Sequence, residues 1–221
     1  FCSNNLPNAL SVMAITKKGN LFHAPETYME KIAIGPDLPN KIVDLDLGVK
    51  KNIDRLSEAK NTSPDKLTAC ILKRPRHDKI VESLNEMGVK VSFISDGDVS
   101  GVLSVAYPHL NIDIYMGIGG GPEGVLAAAA LSCLNCQMQT RLVFQNEDEK
   151  KRTRNIGINN LSKKYTIDEM VRGDVIFCAT GITDGDFVSG IKIFQDYFES
   201  ETFVLHKSSK INAKIKKKLK I

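Results

Sequence analysis

The chain has 221 residues, 42% of them hydrophobic and 25% charged, with a formal net charge of +4. That balance supplies a substantial core and excludes disorder as the main state, because apolar residues are too many and the net charge too small. No apolar run approaches the ~18 residues of a membrane span, so no membrane partner is expected, and the opening FCSNNLPNAL lacks the basic start and apolar stretch of a secretory leader.

In chain order, Asn8 to Thr16 predicts a buried strand, Lys17 to Asn20 a turn, and Leu21 to Phe22 a second short strand. Pro25 to Ile34 predicts a short helix with proline in its first turn. Residues 46–66 read as helical and polar, and Ser63-Pro64-Asp65 marks a break, so a boundary is expected between residues 1–64 and 65–221. Beyond it strands and helices alternate. Leu67 to Leu72 is a strand, Asp78 to Met87 a helix ended by Gly88, and Val89 to Ile94 a strand. Val99 to Tyr107 is a helix stopped by Pro108, Ile112 to Met116 a strand, and Pro122 to Cys133 a helix. Arg141 to Phe144 predicts a short strand, Glu147 to Asn155 a charged helix or loop, and Val175 to Ala179 and Thr202 to His206 two further strands. This alternation predicts an α/β fold with a largely parallel sheet.

Five lysines crowd residues 211–221, and without them the net charge is −1. A tail of this kind, with no basic face or stacking aromatics, predicts a solvated end and no nucleic-acid partner. The cysteines are Cys2, Cys70, Cys133, Cys136 and Cys178. Their odd number argues against a disulfide framework, and Cys133-Leu-Asn-Cys136 has no second pair or nearby histidine, so buried thiols in a reducing, cytoplasmic setting are expected.

Unusual chemistry follows each predicted strand of the second part. The first is followed by Lys73-Arg74-Pro75-Arg76-His77, the second by Asp96-Gly97-Asp98, the third by Gly117-Ile-Gly-Gly-Gly-Pro-Glu123, and the fourth by Thr180-Gly-Ile-Thr-Asp-Gly-Asp186. Open α/β sheets bind ligands at the carboxyl ends of their strands, so parallel strands would gather all four segments on one edge of one sheet. Consecutive glycines before a helix let backbone N–H groups approach an anion, although the spacing is neither a dinucleotide fingerprint nor a Walker loop. Glu123 in the first turn either complements the helix dipole or ligates a metal. Arg74 and Arg76 either fork onto phosphate or form a solvated helix start. Asp96 and Asp98 either bind hydroxyls or a metal, or form a tight turn. Together these residues describe a pocket for a phosphorylated polyol with room for a divalent cation.

The segments HAPETYMEK (23–31), RPRHDK (74–79), SDGDVSG (95–101), GIGGGPEGVLAAAAL (117–131) and ATGITDGD (179–186) occur in that order. In combination they resemble the class II fructose-1,6-bisphosphatases, in the group of lithium-sensitive, metal-dependent sugar phosphatases. The resemblance implies a layered α/β sugar-phosphatase fold, with 65–221 a C-terminal α/β domain on a mostly parallel or mixed sheet and 1–64 a remnant of an N-terminal α+β domain. It implies cytoplasmic, gluconeogenic hydrolysis of fructose 1,6-bisphosphate with Mn²⁺ or Mg²⁺, in a protein that can be a homo-oligomer. It assigns Tyr28, Arg74, Pro75, Arg76, Asp96, Gly97, Asp98 and Gly120 to substrate and Glu123 to metal. The family also carries an acidic Asp-Pro-Ile/Leu-Glu-Gly-Thr motif in an amino-terminal portion that would precede Phe1; no copy occurs here. The catalytic residues are therefore expected in that portion, and the chain as an incomplete, inactive fragment. Sedoheptulose 1,7-bisphosphate as substrate, and a non-enzymatic sugar-phosphate-binding fragment, are the alternatives.

Overall fold

The computed structural model describes residues 7–220; Cys2 lies outside them. The elements in order are β1 (Leu10–Thr16), β2 (Tyr28–Ile34), α1 (Gly48–Ala59), β3 (Thr68–Leu72), α2 (Asp78–Glu86), β4 (Lys90–Ile94), α3 (Asp98–Leu103), β5 (Ile114–Gly120), α4 (Gly121–Ser132), β6 (Gln137–Val143), α5 (Glu147–Asn155), β7 (Lys164–Thr166), α6 (Ile167–Met170), β8 (Val175–Gly181), β9 (Lys192–Ile193), β10 (Tyr197–His206) and β11 (Ile211–Lys220).

These form two sheets. One has the order β4-β3-β5-β2-β6-β7, with β3 parallel to both β4 and β5 and the remaining neighbours antiparallel. The other runs β1-β8-β10-β11 with β9 beside β10, antiparallel throughout. The fold is thus α/β with mixed sheets. Strands from before residue 65 enter both sheets: β1 borders one and β2 sits inside the other.

The layers follow from side-chain size. On one face of the six-stranded sheet, Ile53 and Leu56 of α1 and Leu84 of α2 pack on Ile32, Ile34, Ala69 and Ile71. On the other face lie α3 and α4, sandwiched against the second sheet. Helix α4 is buried nearly all round, as its uniformly apolar run requires. Ala127, Ala128 and Ala129 face Tyr115 and Met138, while Ala130 faces Phe177, Ala179, Phe203 and Leu205 of the second sheet. Alanines keep that helix thin enough for sheets on both sides. Among the described residues no helix is long and apolar enough to cross a membrane.

Several sequence expectations change, the largely parallel sheet among them. The helix expected over 25–34 is strand β2, paired on both sides with β5 and β6; an interior strand is covered on both faces, so its apolar run Ile32-Ala33-Ile34 does not alternate. The strand expected over 112–116 extends to Gly120, because Gly117 to Gly120 pair with Lys31 to Tyr28; the glycine run is mostly strand, not loop. The lysine-rich end is solvated but not irregular, since β11 pairs along its whole length with β10. Strand β7 and helix α6 were not expected, although Thr166-Ile-Asp-Glu169 spells a capping box, which α6 uses.

Candidate active site

Strands β4, β3 and β5 point the same way, so their carboxyl ends converge. An open cleft of about 470 Å³ lies there, bordered by Tyr28, Arg74, Arg76, residues 96–100, Gly119, Gly120 and Glu123, with Asn8 to Leu10 as a further wall. Three of the four chemistry-bearing segments meet here, as the parallel trio dictates.

After β3 the chain turns through a short 3₁₀ segment, Pro75–His77. Arg74 is half-buried, donates from Nη1 to the Ser95 carbonyl at 2.7 Å and lies 3.8 Å from the Asp96 carboxylate. Arg76 is exposed; its Nε and Nη2 donate to the Ile118 carbonyl at 3.0 and 2.7 Å, and its guanidinium lies 5.0 Å over the Tyr28 ring. Stacking holds that planar group at the cleft mouth. Beneath it His77 is buried, with Nδ1 2.6 Å from the Leu72 carbonyl and Nε2 accepting from the Ile118 N–H at 2.8 Å. One donor and one acceptor role describe a neutral imidazole, and burial pushes its pKa down in agreement. His77 ties the end of β3 to β5. A Cβ on Gly117 would stand 3.2 Å from its ring, which explains a glycine there.

The aspartates after β4 differ. Asp96 is exposed and accepts the Gly97 N–H at 3.1 Å, while Gly97 takes a left-handed φ of 81° at the start of α3. Asp98 is buried, and both of its oxygens are engaged. Oδ2 pairs with the Lys31 ammonium and Oδ1 accepts the Tyr115 hydroxyl. Lys31 is 1% exposed. Burial pushes its pKa below the ordinary lysine range, with Asp98 pulling it back. Burial first, then the Asp98 charge, raises Tyr115 well above the ordinary phenol. Sequence reasoning assigned no role to Lys31, Tyr115 or the Asn8 wall. For Lys31 a signal existed: Met29, Lys31 and Ala33 alternate onto one face of β2, so a lysine falls among inward-facing positions.

At the end of β5, Gly121 N–H donates to the Thr27 carbonyl at 2.8 Å and α4 begins. Glu123 in its first turn is exposed and folds back over Gly120, where any Cβ would collide with its carboxylate. The fourth segment is elsewhere. Strand β8 belongs to the antiparallel sheet, so its loop does not share the edge with the other three. It instead braces the Asn8 wall: Asn8 Nδ2 donates to Asp186 at 3.1 Å, Ala9 N–H to Thr183 Oγ1 at 3.0 Å and Ile182 N–H to the Ala9 carbonyl at 2.8 Å. Asp184 accepts the Gly190 N–H at 2.9 Å within its own turn.

With this geometry in place, comparison with known proteins is decisive. The family model described as bacterial fructose-1,6-bisphosphatase, glpX-encoded, matches residues 1–219. The chain belongs to that family. It is 35% identical over 215 residues to a protein of Synechococcus sp. (strain JA-3-3Ab) named D-fructose 1,6-bisphosphatase class 2/sedoheptulose 1,7-bisphosphatase, covering 91% of this chain and 62% of that protein. A protein of the same name from Synechococcus elongatus (strain ATCC 33912 / PCC 7942 / FACHB-805) is 33% identical over 223 residues, covering 95% of this chain and 64% of its own length. The chain therefore spans less than two thirds of these relatives, and within this family their extra length is what it does not match.

Among the described residues no group of three or more His, Cys, Asp or Glu side chains could hold a metal ion. In the cleft Asp98 is engaged by Lys31 and Tyr115, which leaves Glu123 and Asp96 as its exposed carboxylates. The described residues do not by themselves fit a divalent-metal centre. Burial pushes the Cys70 and Cys136 thiols up to about 12.

Proposed function

We propose that this chain forms the sugar-phosphate-binding portion of a phosphatase that hydrolyses a sugar bisphosphate, fructose 1,6-bisphosphate first among them, to the monophosphate and inorganic phosphate. The observation that carries this reading is the convergence of Arg74, Arg76, Tyr28 and the amino-terminal turn of α4 on one cleft. A phosphate entering it meets guanidinium forks suited to bidentate binding and the positive, amino-terminal end of a twelve-residue helix's dipole. The exposed Asp96 and the left-handed Gly97 turn lie where sugar hydroxyls would be bound. Arg76 would trade its Ile118 carbonyl for phosphate oxygen without leaving the Tyr28 face. Glu123 is proposed as one carboxylate of a Mn²⁺ or Mg²⁺ site, whose cation would neutralise phosphoryl oxygens when bound; the described residues do not complete that site. Sedoheptulose 1,7-bisphosphate is the second reading, favoured by the paired activities in the relatives' names.

The test is phosphate release from both bisphosphates by the intact protein with Mn²⁺ or Mg²⁺. Glu123→Gln keeps size and removes charge, so kcat should fall strongly. Arg76→Ala should raise KM roughly ten- to hundred-fold, the loss expected for a charged hydrogen bond to phosphate. Release from neither substrate would defeat the proposal.

A further inference from the structure

The parallel strands β3 and β5 part before they reach the cleft, and His77 fills the gap between them. Their ladder registers Ala69 with Ile114 and Cys70 with Tyr115 and does not extend to Leu72 or Ile118. The imidazole stands between those two residues, 1% exposed, with Nδ1 2.6 Å from the Leu72 carbonyl and Nε2 accepting the Ile118 N–H at 2.8 Å. A side chain thus stands in for a rung of the ladder. The preceding residue takes the other half of Ile118: Arg76 Nε and Nη2 both donate to its carbonyl. The N–H and C=O of Ile118 are therefore held by one 3₁₀ turn, Pro75–His77, which the His77 N–H fastens to the Arg74 carbonyl at 2.9 Å. Gly117 leaves room for the ring; a Cβ there would stand 3.2 Å from Cε1 and 3.3 Å from Nε2. Arg76 borders the cleft, whereas His77 and Ile118 lie behind it.

We propose that His77 is a positioning residue for Arg76, acting through Ile118. The Nε2 bond fixes the Ile118 backbone, the Ile118 carbonyl fixes the fork of Arg76, and Tyr28 supports the face of the guanidinium at 5.0 Å. A guanidinium held in this way keeps few of its rotamers, so little freedom remains to be lost when phosphate binds. Without the imidazole the Ile118 N–H loses its acceptor, and the end of β5 can shift and carry the carbonyl with it. The ligand of Arg76 rests on the functional reading above; the chain of contacts from His77 through Ile118 to Arg76 does not.

The experiment is a double-variant cycle in the intact protein: His77→Leu, Arg76→Ala and both together, with His77→Gln as the conservative replacement. Each is read as KM and kcat on fructose 1,6-bisphosphate with Mn²⁺, and as a thermal midpoint. His77→Leu should raise KM roughly three- to ten-fold, the loss expected when one long side chain must be ordered on binding, with kcat within about two-fold of wild type. In the Arg76→Ala background the same change should move KM by less than about two-fold, because the group it positions is gone. His77→Gln can still donate to Leu72 and accept from Ile118, so it should restore the wild-type KM. An equal rise in both backgrounds shows that His77 does not act through Arg76 and overturns the proposal. So does a lowered midpoint with unaltered KM, the mark of a purely structural residue, and so does a glutamine variant that folds but keeps the raised KM. Should His77→Leu not fold, Gly117→Ala presses the ring off Ile118 with the histidine retained, and the same comparison of backgrounds decides. A wild-type protein that releases no phosphate defeats the functional reading alone. The cycle is then read as calorimetric affinity for inorganic phosphate, and a wild type that binds none overturns the positioning role as well.

Discussion

The convergent end of β3, β4 and β5 and the β10–β11 hairpin are both rich in charge, yet they use it in opposite ways. At the cleft the charges are held by specific partners at several depths: Lys31 and Asp98 buried, Arg74 half-buried, Arg76 stacked on Tyr28. On the hairpin Lys214, Lys216, Lys218 and Lys220 alternate along an exposed strand, where Lys218 lies 3.0 Å from Glu199 and Lys216 3.5 Å from Glu201. Charge density alone does not make a site. Parallel strands bring carboxyl ends, helix starts and turns to one place, whereas antiparallel neighbours send successive ends to opposite edges.

That contrast can be broken or sharpened by measurement. The largest effect belongs to Gly119→Ala, which forces a methyl into the Lys31–Asp98 pair. Because neither partner can move into solvent, stability should drop by about 1–3 kcal/mol, read as a lower urea midpoint. An unchanged midpoint would show that the slot beneath the cleft is looser than its contacts imply.

A smaller effect concerns His77. Its folded pKa lies below the ordinary value of 6.5 because of burial. Below pH 6.5 the unfolded chain takes up a proton that the folded chain resists, so stability falls as pH drops through that value and goes on falling until the lower folded value is reached. His77→Gln keeps a donor for Leu72 and an acceptor for Ile118 but cannot titrate. Urea midpoints at pH 7.5 and 5.5 should therefore separate less in the variant than in the wild type. Equal separation would remove His77 from the acid response.

The smallest effect is expected on the hairpin. Lys218→Ala loses an exposed pair with Glu199, and such pairs are screened and flexible. Its urea midpoint should match the wild type. A clear loss would show that the lysine strand is held by its ion pairs as the cleft is, and would erase the contrast between the two regions.

Much of the cleft's lining is legible in the sequence. Arg74, Arg76, Asp96, Gly97, Gly120 and Glu123 border one cleft because they follow strands that are parallel neighbours or end beside them, and alternation of strand and helix announces that arrangement. The Thr180–Asp186 segment looked equivalent and is not. Its strand joins the other sheet, a choice made by long-range pairing with β1 and β10 that no local pattern encodes. Strand β2 differs from the expected helix for a related reason: what lies on either side of Tyr28 to Ile34, β5 and β6, makes the segment a strand.

By itself the sequence determined the α/β class, because strand–helix alternation is a local property of the chain, and the family, through the resemblance its ordered motifs carry. The tertiary structure alone decided which strands share a sheet, that the glycine run is mostly strand, and that Lys31 lies beneath Asp98. Those outcomes depend on contacts across 67 positions between Lys31 and Asp98, and 116 between Thr27 and Val143. A buried charge becomes tolerable only once its partner has been folded against it.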